Sequence, residues 1–188
     1  MDSAFADAAR RSGEWLKCAP GCTQCCVGVF AINQLDAARL RAGMIDLEAS
    51  DPKRAARVRT RARRSWKRLK QDFPGDAATG LLDESAEAEE RFDEFANEEP
   101  CPALDPATGL CDLYAARPMT CRVFGPPVRN EGGLGVCELC FNGATHEEIK
   151  ACEMQVPSEL EARLTKQLEK KSGVAGQTIV AWCLANPA

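Results

Sequence analysis

The sequence predicts a mainly α, small α+β fold in which an irregular cysteine-rich region interrupts the helices and a helical hairpin is inserted between two cysteine-rich halves. Three observations lead there. Two stretches between residues 52 and 97 repeat apolar residues at helical spacing. Residues 100–140 are dense in Gly, Pro and Cys and lack that period. Cysteine accounts for 11 of the 188 residues, several times the usual intracellular share. Apolar residues at 45% and charged residues at 28% are the balance of a folded chain rather than a disordered one. The length suits one domain with a real core. The chain is read as a single cysteine-cluster domain over 1–188, with the hairpin insert at 51–99.

In chain order, Ser3 to Lys17 predicts a short helix. Pro20-Gly21 forces a turn between Cys18 and Cys22. The β-branched run Val27 to Ile32 predicts a short strand. Asn33 with Asp36 reads as a cap for a helix from Gln34 to about Arg41. Asp51-Pro52 then opens a long helix to about Gln71, whose stripe is Ala55, Val58, Ala62, Trp66, Leu69 and Phe73. Residues 52–70 hold ten Lys or Arg and no acid. After Pro74-Gly75, a second stripe of Leu81, Ser85, Ala88, Phe92 and Phe95 predicts a helix over about 81–97. Residues 83–99 carry nine Asp or Glu against one Arg. A basic helix, a turn and an acidic helix predict an antiparallel hairpin whose stripes face each other or the core, with opposite charges flanking the seam. Gly132-Gly133 predicts a small hairpin between Pro127-Val128 and Leu134–Val136. Thr145 with Glu148 and Ser158 with Glu161 start helices near 146–155 and 159–171. Thr178 to Leu184 is a last apolar segment, helix or strand.

The cysteine count is odd, so complete internal disulfide pairing is excluded. The first residues show neither the basic flank nor the apolar run of a secretion signal. The longest apolar stretch, Cys25 to Ile32, is far too short to span a membrane. These features predict a reducing, cytoplasmic setting, where many thiols point to metal ligation. Cys18, Cys22, Cys25 and Cys26 are spaced so that successive turns can bring thiolates to one centre, with zinc–sulfur bonds of about 2.3 Å. Cys101, Cys111, Cys121, Cys137 and Cys140 form a second, spread-out group. Metal coordination is what would fix a segment as irregular as 100–140. Arg117 and Arg122 stand close to these thiols in sequence. Four thiolates on a divalent ion leave a net charge of roughly −2, which nearby guanidinium groups offset while donating to sulfur. Tyr114, the single tyrosine, has a hydroxyl that could do the same, or it belongs to the core. Cys152 is open between ligand and core. Cys183, inside the apolar run Ile179–Leu184, reads as a core thiol. His146, at a polar helix start, reads as a surface residue.

Taken together, Cys22-x-x-Cys25-Cys26, Cys101-Pro102 with Leu104, the run Cys111, Tyr114, Arg117-Pro118, Cys121-Arg122 and Phe124, and a later cysteine at 137 or 140 resemble a known pattern. It is that of the bacterial cysteine-cluster proteins named for a CxxCxxCC motif, also called YkgJ-like. The resemblance covers about residues 18–32 and 100–140 and implies zinc or iron chelation. One departure is the first gap, which has three residues here against two in the motif.

Eight such cysteines suit two zinc sites of four thiolates or one or two iron–sulfur clusters. Zinc is the favoured reading for a structural site, and disulfide stapling or buried thiols are the alternatives. An iron–sulfur redox protein or modification enzyme is a rival function. Another is a regulatory nucleic-acid-binding module built on Arg57, Arg61, Arg64 and Arg68 of the basic helix. The net charge of −4 and the acidic segment that follows argue against a nucleic-acid partner. The chain has no Gly-rich phosphate loop, GxSxG elbow or HExxH helix, so a reaction would rest on the cysteines alone. The metal ion is the one partner the sequence implies.

Overall fold

A computed structural model of the chain describes residues 2–130 and 132–186. The helices are α1 (Asp2–Ser12), α2 (Gln34–Ser50), α3 (Pro52–Leu69), α4 (Ala86–Asp93), α5 (Met119–Val123), α6 (His146–Ala151), α7 (Ser158–Ser172) and α8 (Val180–Ala185). The strands are β1 (Ala31–Ile32), β2 (Gly75–Asp76), β3 (Leu81–Leu82), β4 (Leu104–Asp105), β5 (Leu110–Cys111), β6 (Val128–Asn130), β7 (Gly133–Gly135) and β8 (Thr178–Ile179). The fold is therefore mainly α with short strands, a small α+β protein. None of its described helices is long and apolar enough to cross a membrane.

The chain divides into two compact units, each made of two separate stretches. Residues 1–20 and 119–162 form one, and residues 21–118 and 163–188 form the other.

The larger unit is built on α2, α3 and α8, which pack on one another. Asn33 caps α2 by accepting from the Asp36 amide at 2.9 Å. Asp51 caps α3 by accepting from the Arg54 amide at 3.0 Å, with Pro52 in the first turn. Helix α2 runs past the predicted end at Arg41 to Ser50, because Leu40, Met44 and Leu47 keep its buried stripe going. These residues meet Val58 and Ala62 of α3 and Val180 and Leu184 of α8. Each fully buried aliphatic chain contributes about 1.5–3 kcal/mol. Gly43 lies inside α2 for a packing reason. A Cβ there would stand 2.3 Å from the Ala116 Cβ, so only glycine lets the Tyr114–Ala116 turn lie on the helix.

The two predicted stripes meet only at their ends, while Ala55, Val58 and Ala62 pack into the core with α2 and α8. Trp66, Phe73, Phe92 and Phe95 share one apolar cluster, with the Trp66 and Phe73 rings 5.1 Å apart, edge to face. The acidic helix is shorter than the periodicity suggests. Leu81 and Leu82 pair with Asp76 and Gly75 as a β-hairpin, and Ser85 caps α4 by accepting from the Ala88 amide. Of the predicted strand at 27–32, only β1 forms, pairing antiparallel with β8 as Ala31↔Ile179 and Ile32↔Thr178. The last apolar segment is strand first and helix after.

The smaller unit contains α1, α5, α6 and the predicted hairpin, now β6–β7, with Arg129 opposite Leu134. Thr145 and Glu148 close the capping box of α6. Arg11 donates to the Ala151 and Glu153 carbonyls at 2.6 and 3.1 Å. Among the described residues, the apolar cluster of this unit holds Cys140, Phe141 and Cys152 as buried members, with Trp15, Leu16 and Cys137 among those packed on it, and Ala8 and Met154 are buried elsewhere in the unit.

Candidate metal centre

In the larger unit, three stretches bring four predicted ligands together. Cys25 and Cys26 end a single 3₁₀ turn, Gln24–Cys26. The Cys101 amide donates to the Cys26 carbonyl at 2.8 Å, and Val27 bridges Pro100. This ties the first cysteine turn to the second. Cys101 precedes the β4–β5 hairpin and Cys111 ends it, paired with Leu104. The Asp112 amide then donates to the Ala103 carbonyl at 2.8 Å.

The four thiols sense one another. Cys26 donates to the Cys25 sulfur, which drops the Cys25 thiol to about 6 and pushes Cys26 upward. The charges of Cys25, Cys101 and Cys111 add to the rise at Cys26. Burial lifts Cys101 to about 12, against a backbone hydrogen bond from Ala103. Burial likewise raises Cys111, opposed by the Leu113 amide and then by Arg117. Amides two residues on thus donate to both sulfurs. That arrangement stabilises a thiolate ligand and fixes its direction. Cys22 lies earlier on the same loop and is half-buried. Its neighbour Thr23 and Gly21 stand against Gly109 at the tip of the β4–β5 hairpin.

Arg117 supplies positive charge to Cys25 and Cys111. Its guanidinium carbon lies 3.6 Å from the Tyr114 ring centroid, and its Nε donates to the Tyr114 carbonyl at 3.1 Å. Tyr114 is 61% exposed and is a platform under that cation.

The basic helix α3 reaches into this site. Arg54 and Arg61 both bind the carboxylate of Asp112, whose side chain is 2% exposed. Arg61 also donates through Nε to the Pro102 carbonyl at 2.9 Å. Arg68 pairs with Glu99, whose carbonyl accepts from the Gly28 amide at 3.0 Å. Arginines seven residues apart along one helix therefore hold the residues beside Cys101 and Cys111. Of the four arginines in the predicted basic line, Arg61 and Arg68 have these internal partners, while Arg57 and Arg64 are exposed.

The smaller unit holds Cys18, Cys121, Cys137 and Cys140. Cys137 and Cys140 frame a tight turn closed by the Cys140 amide on the Cys137 carbonyl at 2.8 Å. The Lys17 amide donates to the Cys140 sulfur at 3.4 Å, and the Phe141 amide to the Trp15 carbonyl at 3.0 Å. Cys18 Sγ lies where Gly125 has no side chain; a Cβ there would be 2.5 Å away. Cys121 is half-buried in α5. Next to it, Arg122 is 4% exposed and pairs with Asp2.

Two cysteines have other roles. Cys183 is buried and donates to the Ala37 carbonyl at 3.4 Å, and burial raises it to about 11. Cys152 is buried and donates to the Arg11 carbonyl at 3.3 Å. Both lie among apolar neighbours. His146 is exposed at the start of α6.

No disulfide joins any of the eleven cysteines. Among the described residues, no three His, Cys, Asp or Glu side chains stand as a ready-made cage. The donor set nevertheless fits a soft divalent ion: thiols from separate turns, amides aimed at sulfur, and a cation offsetting the charge.

A family model described as "Putative zinc- or iron-chelating domain" and named CxxCxxCC matches residues 17–153. The chain belongs to the CxxCxxCC family. The CxxCxxCC match takes in all nine predicted ligand cysteines and stops short of Cys183. No curated protein and no solved structure matches the chain. Sequence reasoning missed Asp112 and Arg54. The signal for Arg54 was the repeat of arginine at 54, 61 and 68, which matches one face of a helix, and Asp112 left none.

Proposed function

We propose that this CxxCxxCC protein chelates zinc or iron through thiolates, and that Cys25, Cys26, Cys101 and Cys111 hold the ion of the larger unit. The observation that carries this reading is the mutual electrostatic coupling of those four thiols, which come from three turns tied by backbone hydrogen bonds. Arg117 offsets the charge of the thiolates, and Tyr114 holds Arg117 in place. Arg122 acts beside Cys121. The arginines of α3 support a scaffolding role for that helix at the site. When bound, the ion supplies a cross-link between loops that carry little regular structure.

The test is elemental analysis with a visible spectrum on protein purified without oxygen. Stoichiometric zinc in a colourless protein supports a zinc chelator, and brown protein with iron and acid-labile sulfide supports an iron–sulfur centre. Cys25→Ser and Cys111→Ser should each lower the metal content, while Cys183→Ser should leave it unchanged. Metal-free protein from every preparation, or equal loss in all three variants, ends the reading.

A further inference from the structure

The nine predicted ligands are shared between the two units. Cys22, Cys25, Cys26, Cys101 and Cys111 belong to the larger unit, and Cys18, Cys121, Cys137 and Cys140 to the smaller. Within the smaller unit, bonds and close packing tie the stretches that carry the second set. The Trp15–Cys18 stretch is bonded to the Cys140–Phe141 turn by two amides, one aimed at the Cys140 sulfur itself. The stretch after Cys121 approaches Cys18 so closely that residue 125 must be glycine, at φ +107°. A second fact points the same way. Two of the three buried residues described in the apolar cluster of the smaller unit are themselves cysteines, Cys140 and Cys152. A small unit gains more than a large one from an added cross-link.

From these facts we infer that the smaller unit carries its own thiolate site for a soft divalent cation, formed by Cys18, Cys121, Cys137 and Cys140, so that one chain binds two ions independently. The inference rests on the thiolate-chelation reading above and adds the number and membership of the sites. Binding moves no electrons. Each thiol that ligates releases its proton to solvent as the metal–sulfur bond forms, and the ion sheds water.

The experiment is anaerobic titration of the metal-free full-length chain with cobalt(II), followed by its sulfur-to-cobalt absorption, with zinc used to displace it. The wild-type chain should saturate at two equivalents. Cys140→Ser and Cys25→Ser should each saturate at one, and the double variant at none. Cys152→Ser, which changes a core thiol of the same unit, should still take two. If Cys140→Ser does not fold, Cys18→Ser replaces it, because Cys18 is exposed and its loss leaves the apolar cluster intact. Saturation of the wild type at one equivalent overturns the inference. So does loss of both equivalents on removing a cysteine from either unit. Failure of the wild type to bind any cobalt overturns the chelation reading itself, a separate outcome.

Discussion

At the residue scale, the family was legible in the spacing of the cysteines, because clustered thiols on short loops leave a recognisable spacing. Arg117 was legible for the same reason, as a cation close to thiols in sequence. Asp112 was not. Its meaning comes from two arginines on a distant helix, and nothing in a linear reading joins residues 54, 61 and 112. The structure makes Asp112 the anchor of the second cysteine hairpin. Its side chain is 2% exposed and both its oxygens are engaged. Asp112→Ala removes the anion and leaves two part-buried guanidinium groups without it. Partial exposure of the arginines softens the loss, so the expected cost is about 2–3 kcal/mol, read as a lower midpoint in urea denaturation. Asp105→Ala, which removes two surface hydrogen bonds where β4 enters the turn of the same hairpin, should cost only about 1 kcal/mol. Equal effects would remove Asp112 from this role.

At the scale of elements, most caps were read well and lengths were not; Ser158, predicted as a cap, is instead the first residue of α7, and the Glu161 amide donates to the Pro157 carbonyl. Asn33, Asp51 and Thr145 cap helices where the sequence placed them, since a cap is a local bond between near neighbours. Helix α2 outran its predicted end and α4 fell short of both of its ends. In each case tertiary packing decided: the buried stripe extended α2, while pairing of Leu81–Leu82 with β2 took the first turn from α4. Gly43 is the sharpest instance, because a glycine inside a helix reads as a weak point and here is a docking point. Gly43→Ala would drive a methyl into the Ala116 side chain and should destabilise by about 1–3 kcal/mol. Arg117 follows that turn, so the substitution should also weaken cobalt binding at the larger unit. Gly132→Ala, where the nearest atom is Asn130 Oδ1 at 3.4 Å, should be close to neutral. Thermal denaturation of the two variants side by side decides it.

At the scale of the whole molecule, the two units differ in what keeps them folded. The larger has the α2–α3–α8 core and an aromatic cluster beside it. The smaller has a lesser apolar cluster, two of whose buried members are cysteines, and four predicted ligands. A chelator should therefore act unevenly. Amides of α2, α3 and α8 should keep their hydrogen-exchange protection after metal removal, while amides of 121–141 lose theirs. Uniform loss across the chain, or no loss anywhere, would contradict this division of labour. Composition could not reveal the division, because both units are made of stretches far apart in the chain.

The pairing of β1 with β8 has a consequence for biosynthesis. Ala31 has no strand partner until Ile179 has been made, and α8 completes the core only then. A chain interrupted before residue 178 therefore lacks the strand partner that seats the stretch just after Cys25 and Cys26, and alkylation of those two thiols should be faster in such a truncated chain than in the intact one.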